Sequence, residues 1–79
     1  MGTLYKADGI IQGVASQGRK YTLAEIEAYV GSREIYHVLC KGGCLIVNER
    51  GGPHNRRASD LAGKAIQGDA LLIVRRERF

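Results

Sequence analysis

Residues 33–49 read Arg33-Glu34-Ile35-Tyr36-His37-Val38-Leu39-Cys40-Lys41-Gly42-Gly43-Cys44-Leu45-Ile46-Val47-Asn48-Glu49. From Arg33 to Cys40 the pattern has a period of two. Ile35, His37 and Leu39 share one side and Tyr36, Val38 and Cys40 the other, as in a β-strand. Lys41-Gly42-Gly43 is a glycine-rich turn, and the apolar run from Cys44 to Glu49 is the return strand. The result is a β-hairpin in mid-chain. An isolated hairpin is marginally stable in water, so the flanking segments must supply further strands and cover.

Upstream, Thr3 to Ala15 reads as a second hairpin. Leu4, Tyr5, Ile10, Ile11 and Val14 flank Asp8-Gly9, a dipeptide suited to a tight primed turn, and Gly13 marks a bulge in the second strand. Ser16 to Lys20 is a polar loop. Thr22 then stands three residues before Glu25, ahead of apolar Leu23, Ile26 and Val30 at helical spacing, with Gly31 beyond them. These are a capping box, an amphipathic stripe and a C-cap glycine, so Leu23 to Val30 is a helix.

Downstream, Gly51-Gly52-Pro53 breaks the chain and Asn55 caps a short helix running to about Lys64. Its apolar stripe is Ala58, Leu61, Ala62 and Ala65. Gly68-Asp69 turns the chain into Ala70 to Val74, a continuous apolar run suited to a buried strand. The expected architecture is a single α+β domain over residues 1–79: a five-stranded, mainly antiparallel sheet with two short helices, in the order ββαββαβ. Both helices are expected on one face of the sheet. The other face then carries Tyr36, Val38 and Val47, which a strongly curved sheet or a homodimer interface would cover.

With 79 residues, the chain has room for one small domain, because domains run to about 100–200 residues. That excludes a cofactor domain beside a substrate domain. Hydrophobic residues at 44% and charged residues at 25% fit a globular chain. The net charge of +4 is unevenly placed. Up to Glu49, Lys6, Arg19, Lys20, Arg33 and Lys41 balance Asp8, Glu25, Glu27, Glu34 and Glu49. Beyond it, Arg50, Arg56, Arg57, Lys64, Arg75, Arg76 and Arg78 face only Asp60, Asp69 and Glu77, so the excess lies there. Such a patch favours a polyanion or an acidic protein face. No signal peptide or membrane span is read from the sequence, which places the chain in the cytoplasm with Cys40 and Cys44 as thiols.

Chemistry-bearing constellations are few. His37, Cys40, Cys44 and His54 have zinc-ligating side chains, but His37 and Cys40 are three apart on a strand and so face opposite ways. No metal or cofactor is expected. The two cysteines read as small hydrophobes opposite each other at the end of the hairpin. A Cys–His pair lacks an orienting third residue, Glu25 is used in capping, and Asp60 suits the first turn of its helix. No enzyme is expected. Glu49 to Arg57 leads through glycines into a helix start bearing Arg56 and Arg57, a moderate anion-binding signal without the lysine of a P-loop. Tyr5, Tyr21, Tyr29 and Tyr36 lack the paired arrangement of an RNA-reading sheet.

Tyr21-Thr22-Leu23-Ala24-Glu25-Ile26, Cys44-Leu45-Ile46-Val47-Asn48-Glu49, Ala58-Ser59-Asp60-Leu61-Ala62 and Ile66-Gln67-Gly68-Asp69-Ala70-Leu71-Leu72 together resemble a family of small phage and prophage proteins without assigned function. The likeness spans nearly the whole chain. It departs from the family at Gly51 to Arg57, where such proteins often have an acidic, leucine-rich middle. The resemblance implies a non-enzymatic phage accessory protein, an anti-defence (anti-CRISPR-like) or host-takeover inhibitor that binds a host protein complex stoichiometrically in the bacterial cytoplasm. The alternative is a nucleic-acid or nucleotide-binding, sequestering protein that uses the basic C-terminal part. In either case the expected contact residues are Arg50, His54, Arg56, Arg57, Arg75, Arg76 and Arg78.

Overall fold

A computed structural model of the chain describes residues 2–14, 20–40 and 42–74. The elements follow the expected order: β1 (Gly2–Tyr5), β2 (Ile11–Val14), α1 (Leu23–Val30), β3 (Ile35–Cys40), β4 (Gly43–Asn48), α2 (Arg56–Ala62) and β5 (Ala70–Val74). They form one sheet of order β2-β1-β5-β4-β3, antiparallel at every junction. The apolar run of β5 takes the centre of the sheet, between β1 and β4, where both of its faces are covered.

The two helices do not share a face. Ile26 and Val30 of α1 pack with Leu4, Val14, Tyr21, Ile46, Leu71 and Ile73. Ala58 of α2 and Ile66 just beyond it pack on the opposite side with Val38, Leu45, Val47, Ala70 and Leu72. The reason lies in β4 and β5, which are apolar on both sides. Two helices on one face would leave Leu45, Val47 and Leu72 in water, and each such side chain gains about 1.5–3 kcal/mol from burial. Tyr36, Val38 and Val47 of that second face thus pack with α2 within the chain. Ala65 of the anticipated stripe is exposed and Ile66 is buried in its place, since α2 ends at Ala62 with Gly63 as C-cap.

Helix α1 carries the full capping box. Thr22 Oγ1 accepts from the Glu25 amide at 3.1 Å, Glu25 Oε1 accepts from the Thr22 amide at 3.0 Å, and Gly31 closes the helix in the left-handed region. Asn48 on β4 donates through Nδ2 to the Val30 carbonyl at 2.9 Å, satisfying a helix-end acceptor and tying α1 to the sheet.

Three local expectations change. The first hairpin does not use a primed turn, which needs positive φ at its first central residue. Only Gly9 has it, at 98°. The Gly9 amide donates to the Lys6 carbonyl at 3.0 Å and the Lys6 amide to the Ile10 carbonyl at 2.9 Å, a three-residue loop with a bulge glycine. Gly13 marks no bulge, for Thr3↔Gly13 lies in an unbroken register from Gly2↔Val14 to Tyr5↔Ile11. In the second hairpin, Gly43 already belongs to the strand and pairs with Cys40, so Cys44 stands opposite Leu39. One residue of register turns the two cysteines to opposite faces of the sheet. Both are free thiols.

Candidate functional site: the α2 cleft

Asn55 holds the segment that builds the site. It is 1% exposed, and as N-cap of α2 its Oδ1 accepts from the Ala58 amide at 3.1 Å. Its Nδ2 donates at 2.8 Å both to the carbonyl of Tyr5 on β1 and to that of Gly68 before β5. The Asn55 amide donates to the Ile66 carbonyl at 2.8 Å, and Ser59 Oγ accepts from the Ile66 amide at 2.8 Å while donating to the Asn55 carbonyl at 2.6 Å. His54↔Gln67 adds an antiparallel bridge, and the Gly68 amide donates to the Pro53 carbonyl at 2.8 Å. Buried polar groups need partners, and here one side chain supplies three of them.

The glycines of this loop serve close packing. Gly68 has φ 82°, and a Cβ there would lie 2.5 Å from the Gly51 carbonyl oxygen. The Gly51–Pro53 stretch and the Gly68 turn therefore lie backbone against backbone. The anion-binding reading of Glu49 to Arg57 changes accordingly, because the Ala58 amide that a phosphate would use is taken by Asn55 and α2 is only seven residues long.

Fixed in this way against β1, the first turns of α2 border a surface cleft of about 630 Å³ lined by Tyr5, Arg56, Arg57, Asp60 and Leu61. Arg56, Arg57 and Asp60 are exposed, whereas Tyr5 and Leu61 are half-buried against the α2-side core. The cleft combines an aromatic ring, an aliphatic side chain, two guanidiniums and one carboxylate. No described carboxylate lies in ion-pair range of either arginine, in contrast to Arg33, which pairs with Glu27 at 3.0 Å, and Arg50, which pairs with Glu34 at 3.3 Å.

Of the contact residues expected from the sequence, Arg56 and Arg57 are brought together in this cleft. Arg50 sits on the loop after β4, engaged with Glu34, and its amide donates to Asn48 Oδ1 at 2.9 Å. His54 is exposed on the bridge to Gln67 and does not line the cleft. Arg75, Arg76 and Arg78 lie outside the described residues. Tyr5, Asp60 and Leu61 were missed as site residues. Asp60 and Leu61 had a signal, since they follow Arg56 and Arg57 by one helical turn. Tyr5 had none, because its neighbourhood depends on a hydrogen bond from Asn55, fifty residues away.

The zinc-type side chains do not converge. His37 and Cys44 lie on the α1 face, Cys40 on the α2 face and His54 on the loop before α2, and no group of three or more metal-ligating residues occurs among the described residues. Burial, with the neighbouring Cys40 adding to it, pushes the Cys44 thiol above the ordinary thiol range, the opposite of an activated nucleophile. Among the described residues no helix is long and apolar enough to cross a membrane. No family model, no curated protein and no solved structure matches the chain.

Proposed function

We propose that this protein is a non-enzymatic binding domain, a phage-type accessory or host-takeover inhibitor of the bacterial cytoplasm, which acts by stoichiometric contact with a host protein complex through the α2 cleft. The observation that carries the reading is the cleft's composition, with Tyr5, Arg56, Arg57 and Leu61 around one open depression. Tyrosine and arginine dominate binding energy at protein interfaces, because each couples a large contact area to directional hydrogen bonding. The exposed apolar residues Ile10 and Ile11 lie at the β1–β2 end of the same molecule and extend the contact area.

A second reading is favoured by the two unmatched guanidiniums. Beside a tyrosine ring they suit the phosphate and base of a nucleotide or nucleic acid. Salt separates the two, because phosphate-led binding weakens steeply as counterions are added.

The test is capture from a bacterial lysate by the native chain and by the double variant Arg56→Glu, Arg57→Glu, each with and without nuclease. The reading expects a protein that survives nuclease and is lost from the variant. Equal capture by both chains overturns it, and so does retention of nucleic acid alone.

A further inference from the structure

We infer that the occupant of the α2 cleft is an extended acidic segment of a partner protein, its carboxylates on Arg56 and Arg57 and one apolar side chain set between Tyr5, Leu61 and Ile11. This inference rests on the binding reading above and names the chemistry of the partner.

The shape of the α2 face provides the groove. The core on this side draws on β3, β4 and β5 and reaches β1 only at Tyr5, with no member from β2. Among the described residues, none packs over this face of the sheet beyond Tyr5 in the α2-side core. Ile11 stands directly across from Tyr5 on the same face and is 46% exposed. Cross-strand neighbours of this kind have Cβ atoms about 5 Å apart, so Tyr5 and Ile11 form one apolar ledge. Gly13, next on that face, is exposed and has no side chain, which leaves room for a peptide backbone along the ledge. Helix α2 walls the other side with Arg56, Arg57, Asp60 and Leu61.

Charge selects the sign of the occupant. Of the four described arginines, the two outside the cleft are matched by glutamates and the two inside it are not. The first turn of α2 also holds no acidic residue, so both guanidiniums oppose the positive end of the helix dipole. A carboxylate seated on them relieves both conflicts and pairs bidentately with a guanidinium. Asp60 and the ledge decide against a nucleotide. A peptide backbone presents N–H donors that the Asp60 carboxylate can accept, whereas a phosphate chain presents only further acceptors to it. The Ile11 ledge likewise gains from an apolar side chain and gains nothing from ribose and phosphate.

The experiment is selection of a random heptapeptide library on the immobilised native chain. The strongest peptide is then titrated against the native chain, the Arg56→Glu, Arg57→Glu variant and an Ile11→Ser variant. All three substituted side chains are exposed, and the fold of each variant is checked by its unfolding transition. Enriched peptides are expected to carry acidic residues around one aliphatic or aromatic residue. Binding is expected to weaken about tenfold or more in the arginine variant, and measurably in the Ile11 variant. Enrichment without acidic residues, equal affinity for the arginine variant, absence of enrichment, or displacement of the peptide by AMP or GMP overturns the inference. If lysate capture depends on the cleft and no acidic peptide is selected, this inference fails while the binding reading stands. If cleft variants capture the same partner as the native chain, the binding reading itself fails.

Discussion

The side-chain amide of Asn55 donates to the backbone carbonyl of Tyr5 at 2.8 Å, joining the start of α2 to the end of β1. This one bond sets the two sides of the cleft, since Tyr5 is one of its partners and Arg56 directly follows the other. Asn55 is both a helix cap and a cross-brace.

Replacing Asn55 tests that dual role. Asn55→Ala removes the cap from the Ala58 amide and leaves the Tyr5 and Gly68 carbonyls short of a donor, at a cost of about 2–4 kcal/mol. Asn55→Asp keeps an oxygen for the cap but turns a buried carboxylate toward two carbonyls, so it is expected to destabilise at least as much as alanine. Urea denaturation measures both. An aspartate variant as stable as the native chain would show that only the cap matters.

Two glycines with similar φ should respond differently to alanine. Gly63 has φ 72° and open space around it, so Gly63→Ala meets only the left-handed backbone penalty of about 1–2 kcal/mol. Gly68→Ala, with φ 82°, adds a clash against the Gly51 carbonyl oxygen. Its loss in thermal stability is expected to be at least twice that of Gly63→Ala.

The alternation along the second hairpin gives another contrast. Leu39 is 86% exposed, whereas Leu45, paired with the adjacent Val38 on the other face, is fully buried. Leu39→Lys should change stability by no more than about 0.5 kcal/mol. Leu45→Ala should cost about 2–5 kcal/mol, measured by the same denaturation.

The opposed directions of Cys40 and Cys44 predict that mild oxidation forms no bond between them within one native chain, because their Cβ vectors point apart. Mass spectrometry after diamide treatment checks this, with an internal disulfide in the folded protein as the contrary result.

The raised pKa of Cys44 predicts a pH effect of definite sign. The folded chain keeps this thiol protonated to higher pH than the unfolded chain does. Below the ordinary thiol range both states hold the proton and nothing changes. As pH rises through that range the unfolded state ionises first, and stability falls. Urea midpoints of the native chain and of Cys44→Ala, followed up to alkaline pH, should show the native chain losing more.

Much of the local structure is legible in the sequence. Thr22 with Glu25, and Gly31 after Val30, state the ends of α1 because capping is settled within a few residues. The alternation from Ile35 to Cys40 states a strand because only two faces exist. The side on which each helix packs was not legible from periodicity. It follows from Leu45 and Leu72 being buried opposite Ile46 and Leu71, a property of the assembled sheet. The register error at Cys44 came from counting Gly43 in the turn, which moves a side chain to the other face. Arg56 and Arg57 were visible as charge, but their setting came from Tyr5, which no local pattern connects to them.

The central place of β5 has a consequence for how the chain is assembled. The hairpin β1–β2 and the hairpin β3–β4 touch no common strand except β5, so neither half of the sheet is joined to the other until Ala70–Val74 slots between them. Such late, non-local closure favours slow, all-or-none folding. It also makes the chain suited to fragment complementation: a cut at the exposed Gly63–Ala65 turn separates the last strand from both hairpins, and only its return restores the cross-braced cleft.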